Sequence, residues 1–280
     1  MNNKIELISP GKINLYLDVI SKREDGYHNL EMIMQKIALH DKVFIEKHQG
    51  ILISCTDKKI PIDSRNIVYK AVELIKADYP QVLGAKIHIE KNIPSQAGLA
   101  GGSSNGAAVV KGISQLYNLN LSLEEMCKYG EKLGSDVNFF FYGPTCHVSG
   151  KGEIIKELPP LPPLPVVLIK PKAGLSAGSV YKNLILRDPK DVSELIKKAN
   201  SADISFILNN LYNKLEESSF ALLPELKEIK KDLFKKNPYS LMSGSGTTFF
   251  SVFTEIEEAK KFLNDLKYKF NFSELTFFYH

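Results

Sequence analysis

The chain has little cysteine, and none of it is arranged to build a site. Cys55, Cys127 and Cys146 are the only three in 280 residues, they stand far apart, and no C-x-x-C pair occurs. Neither a zinc centre nor a disulfide framework is expected, and the thiols read as buried and reduced. Long apolar runs are missing too: no window approaches the roughly 18 apolar residues a bilayer span requires. The first nine residues carry a Lys and a Glu and lack the apolar core of a signal peptide. The expectation is a soluble, cytoplasmic protein with no membrane partner. Charge of one sign is also scarce. A formal net charge of +4 suits a mildly basic surface and an anionic small molecule, and falls short of a nucleic-acid footprint. Lysine pairs at 58–59, 197–198, 230–231 and 235–236 are scattered and read as solvated helix faces. Two phosphate-binding signatures are absent. Neither G-x-x-x-x-G-K-[ST] nor G-x-G-x-x-G occurs, which disfavours a P-loop and a Rossmann dinucleotide site.

What remains is a globular composition, 44% hydrophobic and 24% charged, on a chain long enough for one large or two ordinary domains. Apolar residues at 13, 15, 17 and 19 alternate, so Lys12–Val19 reads as a half-buried strand, preceded by a break at Ser9-Pro10-Gly11. A polar turn, Ser21–Gly26, leads to strands over Glu31–Leu39, Asp41–Lys47 and Ile51–Cys55. Ile67, Ala71, Leu74 and Ile75 share one face of a helix over Asn66–Ala77, and Ala85–Glu90 alternates as a strand. A helix follows from Ser103, another over Ser122–Leu133, where Ser122-Leu-Glu-Glu makes a capping-box start. Leu158–Pro165 is the one low-complexity tract, readable as a polyproline ligand or as a crossover between domains. Beyond it lie a strand over Val166–Lys170 and helices near Ala177–Leu184, Val192–Ala199 and Pro224–Phe234. Strands over Tyr239–Met242 and Thr247–Phe253, a helix over Glu255–Leu266 and a strand near Leu275–Phe278 complete the chain. Strands and helices without strict βαβ alternation imply an α+β fold.

The densest chemical signal lies in Ile93–Asn105, between a strand and a helix. Gly98, Gly101, Gly102, Ser103 and Ser104 fall within seven residues. Glycine lets backbone approach a ligand closely. The helix start adds unpaired N–H donors and partial positive charge, so the segment suits the β- and γ-phosphates of a nucleotide. Its alternative is a flexible strand-to-helix turn. A second loop, Ser243-Gly244-Ser245-Gly246, reads as a hairpin turn unless folding sets it against the first. Phosphoryl transfer to an alcohol also needs a cation and a group to orient or deprotonate the acceptor. Lys12 and Asp136 are candidates, and a surface role is the alternative for each.

These residues resemble those of the GHMP kinase superfamily. Ser9–Leu30, Ile93–Ala108 continuing to Ser135–Phe140, and Leu241–Thr247 carry the likeness, in order and over nearly the whole chain. The Gly98–Ser104 loop resembles all members. The R-x-D-G-Y-H strip Arg23–His28 resembles only the branch acting on a cytidine-diphosphate-linked methylerythritol, in non-mevalonate isoprenoid precursor synthesis. The resemblance implies two domains, over 1–160 and 161–280: an N-terminal one like ribosomal protein S5 domain 2 and a C-terminal ferredoxin-like one. It implies ATP as phosphoryl donor, Mg²⁺, and a monomer or weak homodimer. Lys12 and Asp136 match the catalytic pair. Asn14 matches the polar residue at the acceptor end, Tyr27 and His28 the cytosine site, and Tyr181 a second aromatic wall. Pro94, Gly98, Leu99, Ala100, Gly101, Gly102, Ser103 and Ser104, with Asn66, Lys91, Gly244 and Gly246, are implied on the ATP side. Ser104 is the implied protein oxygen for the metal, since residues 103–118 include no acidic side chain. The sequence departs from the family pattern at Gly11 (commonly Ala), Ala100 (commonly Gly) and Asn138 (usually Pro). A homoserine- or mevalonate-type kinase and a non-catalytic nucleotide sensor are the competing readings. The first lacks a cytosine for Tyr27 and His28 to hold; the second is opposed by the presence of both Lys12 and Asp136.

Overall fold

A computed structural model describes residues 3–266 and 269–280. In chain order the elements are β1 (Lys4–Lys22), β2 (His28–Lys47), β3 (Gly50–Cys55), α1 (Ile67–Asp78), β4 (Gly84–Glu90), α2 (Gly101–Leu116) and α3 (Leu123–Leu133). A short 3₁₀ turn, Asn138–Phe141, then leads to β5 (Thr145–Gly150), β6 (Ile154–Glu157), β7 (Pro165–Lys170), α4 (Ala177–Lys182), α5 (Ser193–Ala199) and α6 (Ile204–Asn209). The remainder is β8 (Tyr212–Asn213), α7 (Leu215–Leu222), α8 (Glu225–Lys236), β9 (Ser240–Met242), β10 (Phe249–Val252), α9 (Ile256–Leu266) and β11 (Phe272–Phe277). Among the described residues no helix is long and apolar enough to cross a membrane.

The chain forms two compact units that interleave in sequence. One holds residues 1–11, 39–95 and 100–142; the other holds 12–38, 96–99 and 143–280. In the first, β4 pairs antiparallel with Lys42–Lys47 of β2 and parallel with β3. Helix α1 starts at Asn66, whose side chain accepts from Val68 N–H, and buries Val68, Ala71, Val72 and Ile75. Ser122 and Glu125 complete the expected capping box at α3. Helix α2 is buried nearly all round. Gly112 lets it approach the sheet, because a Cβ there would lie 2.3 Å from Ile45 Cδ1.

In the second unit, Leu30–Gln35 of β2 pair antiparallel with β5, β5 with β6, and β1 runs parallel to the short β8. A separate antiparallel sheet has the order β11-β7-β10-β9. Helices α8 and α9 supply Leu226, Leu233, Ala259, Phe262 and Leu266 to its core, against Val167, Ile169, Met242 and Phe249. The order is that of a ferredoxin-like domain. The architecture is the expected α+β one.

Two strands differ from their sequence patterns. β1 continues through Pro10-Gly11 because the interruption is local: Lys12 N–H donates to Leu99 O at 3.0 Å, and strand geometry resumes. β2 is one strand where periodicity suggests two, because its two halves have different partners, β5 and then β4. Residues 158–164 of the proline tract have no regular secondary structure and lie in the second unit, with Leu158 and Leu161 buried, and Pro165 opens β7. None of the three cysteines is paired. Cys146 is buried, whereas Cys55 and Cys127 are half-buried, and burial pushes the Cys146 thiol up to about 12.

Candidate active site

In the first unit the Gly/Ser segment becomes the start of α2. Ser104 N–H donates to Ala100 O, so the amides of Gly101, Gly102 and Ser103 precede the first intrahelical bond. The helix begins at Gly101, two residues before the sequence suggests. Gly102 is exposed, and a Cβ there would meet nothing within 4 Å. No acidic residue occupies the first turn, so nothing offsets the partial positive charge of the helix start. Ala100 caps the helix at φ 53, ψ 30, where a Cβ is strained. Ala100→Gly is therefore expected to raise stability by about 0.5–1 kcal/mol, after allowing for the greater freedom of glycine in the unfolded chain. A urea midpoint below that of the parent would refute this.

Beneath the segment lies a buried network that the sequence did not reveal. The Asp41 carboxylate, 0% exposed, accepts from Lys91 Nζ at 2.7 Å and from Asn105 Nδ2 at 2.9 Å. It also accepts from the N–H groups of Asn92 and Ile93, each at 2.8 Å. Lys91 Nζ further donates to Ile93 O at 2.5 Å. Asn105 also donates to Ser9 Oγ, and Ser9 Oγ donates to Ser104 Oγ at 2.8 Å. One carboxylate on β2 thus fixes the backbone leading into Pro94, and Asn105 links it to α2. Lys91 and Ser104 are engaged in this network, and Asn66 is engaged as the α1 cap, with its amide nitrogen on Pro61 O.

Asp136 stands in the turn between α3, capped by Gly134, and the 3₁₀ turn. It is half-buried, followed by buried Val137 and Asn138. Lys111 of α2 donates to Phe140 O at 2.9 Å, tying that turn to the helix, and burial lowers its pKa. Asn138, where the family usually has proline, packs its Oδ1 on Gly130 of α3; that oxygen has no hydrogen-bond partner.

The second unit gathers the residues around Lys12. Lys12 is 4% exposed; its ammonium donates to Asn14 Oδ1 at 2.7 Å, and Asn14 Nδ2 reaches Met32 Sδ at 3.4 Å. The second glycine loop packs on Gly98, which belongs to the same unit. Ser243 Oγ donates to Gly98 O at 2.9 Å. Gly98, at φ +70, lies so close that a Cβ would sit 2.0 Å from Ser243 O. A Cβ on Gly244 would come within 3.4 Å of Lys12 Nζ, Asn14 Oδ1 and Gly98 O. Asn213 fixes the loop from below, its Nδ2 donating to Met242 O and Gly244 O. Gly246 has φ +86, and its peptide bond to Thr247 is cis. Leu99 is fully buried.

The same unit brings His28 and Tyr181 together as a stacked pair, with centroids 5.3 Å apart and planes at 24°. Burial and the nearby Lys22 ammonium hold His28 below its usual pKa, so the imidazole is neutral at pH 7. Tyr27, 54% exposed, presents its ring to solvent. Its turn is rigid: Asp25 accepts Tyr27 N–H, Arg23 Nε donates to both Asp25 oxygens, and Arg23 N–H donates to Tyr27 O.

A glycine-rich helix start, a buried lysine beside a second glycine loop and a carboxylate after an αα pair are groups of the kind that phosphoryl transfer to an alcohol uses. Residues 66–144 match the GHMP kinases N terminal domain, and residues 181–271 match GHMP kinases C terminal. The chain therefore belongs to the GHMP kinases. A relative from Shouchella clausii (strain KSM-K16), 4-diphosphocytidyl-2-C-methyl-D-erythritol kinase, is 42% identical over 94% of this chain and 91% of its own. Its namesake from Carboxydothermus hydrogenoformans is 41% identical over 91% of this chain and 90% of its own. A crystal structure of 4-(cytidine 5'-diphospho)-2C-methyl-D-erythritol kinase superposes with a TM-score of 0.82 at 29% identity, covering 99% of this chain and 100% of that one. Within the GHMP kinases this chain is a member of the 4-diphosphocytidyl-2-C-methyl-D-erythritol kinase family.

Proposed function

We propose that the chain transfers the γ-phosphoryl group of ATP to the 2-hydroxyl of 4-diphosphocytidyl-2-C-methyl-D-erythritol. The bond from the γ-phosphorus to the bridging oxygen breaks, ADP leaves, and the acceptor oxygen takes its place. Asp136 takes the hydroxyl proton. Lys12 offsets charge on the transferring group, and Asn14 orients the acceptor end. The amides opening α2, with the Pro94–Ser104 segment and the Gly244–Gly246 loop, hold the triphosphate. Asn66, as a helix cap, and Lys91, in the Asp41 network, hold backbone that lines the adenosine side.

Magnesium would supply charge neutralisation on the phosphates. Ser104 is the protein oxygen that would hold it, in place of the hydrogen bond that it accepts from Ser9 Oγ.

The single observation that supports the acceptor most is the stacking of His28 on Tyr181. Neutral imidazole and aromatic faces suit a pyrimidine edge and face. Replacing Tyr27 with Ala is expected to weaken binding of the cytidylated acceptor by about 1–3 kcal/mol, the range for base stacking, with the KM for ATP unmoved. A change in ATP affinity alone would reverse the two nucleotide sites. The whole assignment is tested by coupled ADP release with four acceptors: 4-diphosphocytidyl-methylerythritol, homoserine, mevalonate and galactose. Turnover with one of the last three alone would overturn the acceptor while leaving the kinase class intact.

A further inference from the structure

The Ser243–Gly246 loop is gripped through its carbonyls. Asn213 Nδ2 donates to Met242 O at 2.7 Å and to Gly244 O at 2.8 Å, and Ser219 Oγ donates to Ser245 O at 3.2 Å. Glu216 accepts Met242 N–H at 2.9 Å and pairs with Lys230. All three side chains come from β8 and α7, so one short stretch of chain holds the loop. That stretch is in turn fixed to the strand that carries Lys12 and Asn14. Tyr212 and Asn213 pair with Tyr16 and Leu17 of β1, and Lys214 N–H donates to Leu17 O at 2.9 Å.

The amide side of the loop is uncommitted. Among the described residues the N–H groups of Gly244 and Ser245 have no acceptor, although Gly244 is buried. Buried amides without a partner are rare in folded chains. The carbonyl and amide of one trans peptide point in opposite directions, so tying Gly244 O to Asn213 turns Ser245 N–H away from Asn213. Two successive amides at a left-handed residue, Gly244 at φ +55, form a concave donor pair for an anionic oxygen. Lys12 Nζ lies beside the same glycine. We propose that Asn213 is a positioning residue for phosphoryl transfer, aiming the Gly244 and Ser245 amides at the transferring group in register with β1. The proposal rests on the kinase assignment and extends it to a residue that acts only through the loop it holds.

Asn213 has a second bond that the test must separate, because its Oδ1 accepts Leu215 N–H at the start of α7. Asn213→Ser keeps an oxygen suited to a helix start, adds no charge and is too short to reach both loop carbonyls. The full-length enzyme is assayed with ATP and 4-diphosphocytidyl-methylerythritol, below the measured unfolding midpoint of each variant. Misaiming a transition-state donor is expected to lower kcat about tenfold, less than the loss of a whole donor, while the acceptor KM moves less than about twofold. Ser219→Ala removes only the anchor on Ser245 O and should lower kcat about threefold. A kcat within about twofold of the parent in folded Asn213→Ser would make Asn213 a purely structural residue and overturn the proposal. So would a raised acceptor KM with kcat unchanged. If Asn213→Ser does not fold, Ser219→Ala decides, and a parent-like kcat there overturns the proposal. A parent enzyme that releases no ADP with this acceptor would sink the kinase assignment itself, an outcome distinct from an active parent with unaffected variants.

Discussion

Asp136→Asn is expected to lower kcat by about two to four powers of ten, the range for losing a positioned acid–base group. The substitution preserves size and hydrogen-bonding reach but leaves nothing able to accept the hydroxyl proton. The surroundings argue against a fold effect. Asp136 is only half-buried, while the turn that carries it is held by its neighbours: buried Val137 and Asn138, and Lys111 on Phe140 O. Thermal stability and ATP binding should therefore stay close to the parent values. Isothermal titration with ATP, beside steady-state turnover with the cytidylated acceptor, separates the two effects. A variant that turns over at the parent rate would remove Asp136 from the chemistry.

The second large effect is on stability. Asp41→Ala is expected to cost about 3–5 kcal/mol, because it leaves the Lys91 ammonium buried without its counter-ion. Lys91 and Asp41 side chains are 6% and 0% exposed, so water cannot replace the lost partner. Three further donors, from Asn92, Ile93 and Asn105, lose their acceptor at the same time. The double variant Asp41→Ala/Lys91→Met should recover part of the loss, since it removes the stranded charge as well. Urea unfolding of parent, single and double variants forms the cycle; strictly additive losses would mean that the pair is not coupled. Because the same carboxylate fixes the backbone entering the Pro94–Ser104 segment, the KM for ATP should rise in the single variant.

Much of this molecule is legible from its residues because the relevant signals are local. Alternation marked β4, and the Ser122–Glu125 box marked α3. The spacing of apolar residues marked α1, although the buried face centres on Val68 and Val72 as well as Ala71 and Ile75. What escaped were elements whose sequence has no period of its own. β5, Thr145–Gly150, is a short run with polar and small residues, made a strand by the neighbouring Leu30–Gln35 of β2. β8 is two residues long and exists only beside Tyr16 and Leu17. The 3₁₀ turn at Asn138–Phe141 reads as an aromatic run, because three consecutive buried phenylalanines fit no helix or strand face.

The site divides the same way. Glycine at positions 98, 101 and 102 suggests a phosphate cradle by residue type, while the Arg23–His28 strip points to a pyrimidine only through its resemblance to the family. These depend on backbone freedom and residue type, which a sequence carries directly. Asp41 gave no such signal. A lone carboxylate in a strand becomes an anchor only when Lys91, Asn92, Ile93 and Asn105, 50 to 64 positions away, are folded around it. The set of Gly98 against Ser243, 145 residues apart, is likewise a product of tertiary packing. Sequence determined the elements that have a period or cap of their own and which residue types could do the chemistry; the folded chain decided β5, β8 and which polar groups are already satisfied, because partners at long separation exist only after the backbone has closed.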